Sequence, residues 1–459
     1  MPALCIGEHG WSYAELAGLA EAQARSLRER GLGAGQVVVC DAEPGLDLIV
    51  LQHALARIGA ALLPVRPGLP RSTLSALLRQ VGAEWRWLPE AGRGRLVAVR
   101  DDLSTGSPPV DQRLAVLIQT SGSGGKPKAV MLTQAAVLAS CALINQCLGL
   151  GPGDEWLCCL PLQHVGGLAI GYRCALAGAT LRLQTRLAEG FDAAAVAADL
   201  ARDTVTHLSL VPPMLARLLD AGVGPPPSLR VLLVGGQALH SALARRAVDA
   251  GWPLHVTYGM SETCSQIATA PYVAADAVPT RVGPLLAGVE LDCARCGQPP
   301  RALRLRGPML MAGYANPARR PGDGLRDGWL ITSDLGCVDA DDALHVLGRA
   351  DDVLVIGGVN VLPAAVEDRL VRAPGVDAVA VVGVPHPIWG RTLAACYSGN
   401  AAPAEFEGWC RANLPGAERP RRFIRCAELP LLASGKLDRA RIMTLARAER
   451  EGPGASARS

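Results

Sequence analysis

The sequence has almost no net charge: 45 Lys plus Arg stand against 42 Asp plus Glu, a formal +3, and arginine is scattered along the chain rather than gathered in one segment. A partner with a phosphate backbone needs a basic patch or stripe, so nucleic acid binding is not expected. Long apolar runs are missing too. A bilayer span needs about 20 apolar residues, and the nearest approach, VGGLAIGYRCALAGA, is broken by glycines and by Arg173. The N-terminal MPALCIGEHGWSYAEL carries Glu8 and Glu15 and has no basic segment leading into an apolar one, which argues against a secretory signal and for the cytoplasm. Regular cysteine spacing is also lacking. Fourteen cysteines are spread irregularly, so reduced thiols, mostly small buried apolar residues, are expected. Cys293 and Cys296 form a single CARC, with no second pair or HxxxH to follow. Zinc needs about four ligands, so no metal site is expected there. Tandem repeats are absent, and whether the chain forms a homo-oligomer stays open.

What is present is enough apolar material for a sizeable core: 49% hydrophobic residues in a chain of 459, long enough for two or three domains. YAELAGLAEAQARSLRERG has helical spacing and ends at Gly31, and VVVCDA after it reads as a strand. LDLIVLQHALARIGAALLPV repeats helix then strand. The same rhythm runs through VTHLSLV, PMLARLLDAG, LRVLLVGG, SALARRAVDAG and PLHVTYG. It predicts βαβ units around a mainly parallel sheet. After about residue 290, RALRLRG, WLITSDLG, ALHVLGR and DVLVIGG are short β-type runs between Gly and Asp, as in an antiparallel or mixed sheet. A smaller unit follows, and its boundary falls at GRADD, giving domains of 1–348 and 349–459.

One segment asks for chemistry. TSGSGGKPK, Thr120 to Lys128, directly follows the strand-like LAVLIQ. A Walker A loop needs Gly, four residues, then Gly-Lys-Ser/Thr; here Thr120 occupies the first position and Pro127 follows Lys126, so that motif is excluded. Gly122, Gly124 and Gly125 still permit close backbone approach, Thr120, Ser121 and Ser123 offer hydroxyl donors, and Lys126 and Lys128 supply charge. A Gly/Ser stretch is otherwise a linker, but the apolar AVMLT after it argues for a loop built into a core.

TSGSGGKPKAVMLT resembles the signature loop of the adenylate-forming superfamily, which contains acyl- and aryl-CoA synthetases, peptide-synthetase adenylation domains and luciferases. Six further motifs stand in the family's order: LPLQHVGGL, LLVGGQAL, TYGMSET, GWLITSDLG, GRADDVLVIGGVNVLPAAVE and SGKLDR. Ser261, Ser333 and Ala129 replace the family's usual Thr, Gly and Gly, and none of these removes a reactive side chain. The resemblance implies an α/β fold with a large N-terminal domain of parallel and mixed sheets flanked by helices, and a small mobile α+β C-terminal domain. It also implies ATP, Mg2+ and coenzyme A acting on a carboxylic acid, which is first adenylated and then transferred to a thiol.

The same resemblance distributes roles. Thr120 to Lys128 would grip the outer phosphates, Glu262 would hold magnesium, and Ser261 would meet the α-phosphate. Tyr258, Gly259 and Met260 would line the nucleotide, with Gly235, Gly236 and Gln237 beside adenine and Asp334 and Arg349 on the ribose. Lys436 would bridge carboxylate and α-phosphate, and Asp351 would be the hinge on which the small domain turns. Gly357 and Gly358 would then line a tunnel for the pantetheine arm, although a plain turn between strands explains a Gly-Gly pair equally well. Standing alone, Glu262 would read as a loop charge and Lys436 as an exposed lysine.

The acid is addressed by LPLQHVGGLAIGYR. No acidic residue occurs there to hold an ammonium, which disfavours amino acids. His164 resembles a substrate-facing residue, with Gly166 and Gly167 beside it, while a satisfied core histidine is the alternative. Arg173 lies in an apolar run, where burial of an unpaired guanidinium is costly. It could pair with a structural Asp, reach the surface, or receive a second carboxylate on the substrate. A dicarboxylic aryl acid fits the last case. Another acyl- or aryl-CoA synthetase, a stand-alone loader of carrier proteins, and a silent homologue remain as rivals, though Glu262, Asp334 and Lys436 are all present.

Overall fold

The computed structural model describes residues 2–41, 43–88, 94–99, 113–120, 128–273, 280–316, 318–386, 389–431 and 437–448. Two sheets form the centre of the larger part. In the first, strands Leu254–Met260, Val231–Val234, His207–Leu210, Glu155–Cys158, Thr180–Leu183 and Leu4–Ile6 run parallel, and Ser265–Pro271 and His9–Trp11 close its edges antiparallel. In the second, Leu114–Thr120, Ala61–Val65, Val37–Asp41 and Trp85–Leu88 are parallel, with antiparallel Lys128–Thr133 and Gly313–Tyr314 at one end and Arg95–Ala98 at the other. The alternation read from the sequence is therefore what the chain builds. Strands buried on both faces, such as Ala61–Val65 and Val231–Val234, need not alternate polar residues.

Two helices frame the segment that holds His164 and Arg173. Gln134–Leu148 starts on a Thr133 side chain that accepts the Ala136 N–H, and Val165–Ala177 packs beside it. The change of texture after the parallel region is a third, mostly antiparallel sheet, which includes Arg281–Pro284, Arg301–Arg306, Trp329–Val338 and Ala343–Arg349. Beyond it, the hairpin Leu354–Ile356/Val359–Val361 leads to a three-stranded sheet of Val376–His386, Gly390–Gly399 and Pro420–Arg425. Helices Pro363–Leu370, Pro403–Asn413 and Arg439–Ala448 cover that sheet, which has its own core around Tyr397 and Phe406. Among the described residues no helix is long and apolar enough to cross a membrane.

One cysteine expectation changes. Nine of the free thiols are buried, as expected, but Cys296 and Cys337 form a disulfide. Parallel pairing of Ala294 with Cys337 brings the two Cα atoms to 5.1 Å, within bonding reach. A separation of 41 residues in the sequence gives no hint of that neighbourhood.

Candidate active site

Thr120 and Lys128 face each other as the last residue of one strand and the first of the next. Ser121, Gly122, Ser123, Gly124, Gly125 and Lys126 lie outside the described residues, as does Lys436; Leu431 and Leu437, on either side of that second segment, are bridged. The Lys128 ammonium sits 4.4 Å above the Tyr314 ring. Tyr314, at the edge of the same sheet, donates its hydroxyl to Glu262 Oε1 at 2.9 Å. Burial, then the Glu262 carboxylate, hold this phenol far above its usual range, so it remains a donor.

Glu262 stands in a single 3-10 turn, Ser261–Thr263, at the end of strand Leu254–Met260. The turn is fixed from within. The Thr263 hydroxyl accepts the Met260 N–H at 3.1 Å and donates to the Ser265 carbonyl at 2.6 Å, and Cys264 and Ser265 take positive φ values of 52° and 107°. Here Gly259 is obligatory, because a Cβ on it would stand 2.0 Å from the Ser265 carbonyl oxygen. Gly259→Ala should lower unfolding stability by about 3 kcal/mol, read as a fall in the urea midpoint; an unchanged midpoint would contradict this account of the turn.

On the preceding residue, Tyr258 donates its hydroxyl to Asp334 Oδ2 at 2.6 Å. Asp334 lies opposite Arg349 in the antiparallel pair Trp329–Val338/Ala343–Arg349, and its own N–H is held by Thr332 Oγ1 at 3.0 Å. Burial and the carboxylate raise the Tyr258 pKa well above normal, so this link persists through neutral and alkaline pH. Gly235 and Gly236 follow strand Val231–Val234 on the other flank, and a Cβ on Gly235 would meet Thr257 Cγ2 at 2.5 Å. Residues far apart in sequence, 120 and 128, 235 to 237, 258 to 262, and 334 and 349, thus converge at the strand ends of neighbouring sheets.

His164 caps the start of helix Val165–Ala177 and is exposed, so it is not a core histidine. Gly167 is buried where a Cβ would press on the Pro161 and Leu160 carbonyl oxygens at 2.5 and 2.6 Å. Two turns further along the helix, Arg173 is 1% exposed, which rules out reaching the surface. Its guanidinium carbon lies 5.3 Å from the Trp156 ring, Nε and Nη2 have no hydrogen-bond partner, and no carboxylate pairs with it among the described residues. Its ionisable neighbours are the thiols of Cys141, Cys264, Cys174 and Cys158. Burial pushes Cys141 up to about 11 and Cys158 and Cys264 up to about 12, so they are neutral at physiological pH. Among the described residues no structural Asp meets it, and within them it stands as a buried cation without an anion.

Asp351 sits in the exposed 3-10 turn Ala350–Asp352, its carboxylate 3.4 Å from Arg349 Nη2. Gly357 and Gly358 form the tip of the hairpin with φ of 56° and 85°, and a Cβ on either would meet no atom within 4 Å. In this arrangement they line no tunnel among the described residues.

Tyr314 was not singled out in the sequence; its only signal there is a Gly-Tyr step in MAGYANP. Among the described residues no group of three or more His, Cys, Asp and Glu could hold a metal ion. One carboxylate, Glu262, suits magnesium, which keeps its waters and is bound through one or two carboxylates and substrate phosphates. Tyr314→Phe should raise the magnesium concentration for half-maximal activity about tenfold by freeing Glu262, measured by titrating magnesium at saturating nucleotide; an unmoved midpoint would sever Tyr314 from the metal.

Residues 1–86 and 85–315 match the family described as AMP-binding enzyme, and 365–436 match AMP-binding enzyme C-terminal domain. A 2-succinylbenzoate-CoA ligase of Bacillus mycoides strain KBAB4 is 32% identical over 447 residues, 91% of this chain and 90% of the relative. Two solved structures of o-succinylbenzoate CoA synthetase (MenE) from Bacillus subtilis are similar at 26% identity. The one with the acyl-adenylate intermediate OSB-AMP superposes with a TM-score of 0.82, covering 96% of this chain and 95% of that one. The other, with ATP and magnesium ion, gives 0.81, covering 96% of both.

Proposed function

We propose a reaction from one premise: this chain belongs to the AMP-binding enzyme family, and it joins a carboxylic acid to coenzyme A at the expense of ATP. The acid we assign is o-succinylbenzoate, giving o-succinylbenzoyl-CoA, a step of menaquinone biosynthesis carried out in the cytoplasm. The observation that carries this choice is Arg173, a cation buried beside Trp156 without an anionic partner among the described residues. A second carboxylate on the substrate would complete it. CLPLQHVGGLAIGYR and TYGMSETCSQIAT also resemble the corresponding segments of o-succinylbenzoate-CoA ligases, although Gln163 stands where an aromatic residue is common.

In the first half-reaction a substrate carboxylate oxygen attacks the α-phosphorus of ATP and pyrophosphate departs. The charge develops on phosphate oxygens, so the chain's work is positioning and electrostatics. Bound magnesium, held by Glu262, would neutralise part of that charge. Thr120 to Lys128 retain the outgoing pyrophosphate, Ser261 meets the α-phosphate, and Tyr258 orients Asp334 towards the ribose hydroxyls with Arg349 alongside. Gly235, Gly236 and Gln237 flank adenine, Met260 and Gly259 underlie the nucleotide, and Lys436 joins the carboxylate to the α-phosphate. His164, Gly166 and Gly167 border the acid. In the second half-reaction the thiol of coenzyme A attacks the acyl carbon and AMP leaves. The domain of 349–459 turns about Asp351 between the two, and brings Gly357 and Gly358 to the thiol's path.

A panel of carboxylic acids assayed for pyrophosphate release, with and without coenzyme A, tests this directly. o-Succinylbenzoate should be the preferred acid and should yield a thioester. Turnover of other aryl or fatty acids with this one ignored would sink the substrate assignment and leave an acyl- or aryl-CoA synthetase; pyrophosphate release without thioester formation would favour a loader of carrier proteins.

A further inference from the structure

Helix Pro363–Leu370 of the smaller part lies against the start of helix Ser241–Asp249 of the larger one. The Ser241 backbone N–H donates to Asp368 Oδ1 at 3.0 Å across 127 residues of sequence. Both residues are buried, at 3% and 8% exposure. Arg372, one turn along from Asp368, donates to its Oδ2 at 2.7 Å and fixes the carboxylate's direction. Ala242 packs against the small sheet's core, and Arg245 and Tyr272 add to the polar surroundings. Ser241 is the first helical residue, so its N–H has no partner within its own helix, and a carboxylate there also meets the positive end of the helix dipole. That helix begins four residues after Gln237. The Gly357-Gly358 hairpin, which precedes helix Pro363–Leu370, stands in solvent, with Val355 and Val359 54% and 51% exposed. The contact therefore belongs to an arrangement in which the hairpin is withdrawn.

We propose that Asp368 is a positioning residue: it latches the small domain onto helix Ser241–Asp249 in the arrangement that serves adenylation, and release of this latch is part of the passage to thioester formation. The proposal rests on the two-arrangement reading above. Rotation must break the bond and expose both groups to water, so the latch sets how the enzyme divides its time between the half-reactions.

Ser241→Pro tests it with little collateral change. Proline is well suited to the first helical position, and the preceding His240, at φ −68° and ψ 141°, already has the extended backbone that a pre-proline residue requires. The donor N–H is lost, together with the Ser241 hydroxyl, while the helical backbone is kept. Asp368→Ala removes the acceptor. Adenylation, measured as single-turnover pyrophosphate release, should slow about tenfold in each variant, while transfer from supplied acyl-adenylate to coenzyme A is unchanged or faster. The double variant should be no worse than either single one. If Asp368→Ala fails to fold, Ser241→Pro decides alone. A ratio of half-reactions within about twofold of the parent, equal loss of both, or additive losses in the double variant would each overturn the latch. Solution X-ray scattering of the parent separates this from failure of the premise: identical profiles with ATP and acid, and with acyl-adenylate and coenzyme A, would remove the two arrangements and the latch together. Distinct profiles with an unmoved ratio would remove the latch alone.

Discussion

Replacing Arg173 with methionine is expected to lower kcat/KM for o-succinylbenzoate by ~10²- to 10³-fold and, at the same time, to make the protein more stable by about 1–3 kcal/mol. The two effects come from one cause. In the free protein the guanidinium is desolvated, lies over Trp156, and faces thiols that burial keeps protonated. An apolar side chain of similar size ends that cost. With the substrate in place, the same side chain would supply a fork of donors to its second carboxylate, and its loss strands that charge in an apolar pocket. KM for ATP should not move, and an aryl monocarboxylate should be turned over equally by both proteins. Denaturant midpoints and steady-state kinetics measure the two arms. If Arg173→Met loses activity with monocarboxylate and dicarboxylate alike, or is less stable than the parent, Arg173 is a packing residue and the substrate assignment loses its main support.

Lys436→Ala is expected to cut adenylation ~10²- to 10³-fold and to leave transfer from supplied acyl-adenylate within about threefold. A single ammonium that bridges the attacking carboxylate and the α-phosphate acts only while pyrophosphate is leaving. After the proposed turn of the small domain it would no longer face the acyl group. Single-turnover assays of the separated half-reactions distinguish the outcomes; equal loss of both would contradict a lysine that serves one arrangement.

Much of the fold was legible because two periodicities differ. YAELAGLAEAQARSLRERG and VVVCDA could be told apart by spacing alone, and they became helix Tyr13–Glu29 and strand Val37–Asp41. The ordered motifs marked Glu262, Asp334 and Tyr258, and the structure brings these together with Tyr314 as their neighbour. Tyr314 escaped notice because its role comes from pairing with strand Lys128–Thr133, a contact between distant segments. Asp368 escaped for the same reason: it sits in an ordinary helix until a second helix is docked on it. Arg173 was conspicuous as a charge in an apolar run, but whether it had a partner depended on what α-helical packing placed around it. One signal lay unused in the composition. Lysine occurs only at 126, 128 and 436, although Lys plus Arg total 45. Arginine's planar fork and lysine's compact point charge are not interchangeable, and the three positions that kept the amine are all in the loops expected to meet phosphate.

The withdrawn hairpin has a further consequence, for solubility. Val355 and Val359 stand more than half exposed on its two strands. Exposed apolar β edges invite pairing with the edges of other molecules. Each strand here is three residues long, and the turn between them holds two glycines at positive φ. So short and sharply bent an edge is a poor template for another strand. Brevity makes that apolar face a poor seed for aggregation for as long as it has nothing to dock on.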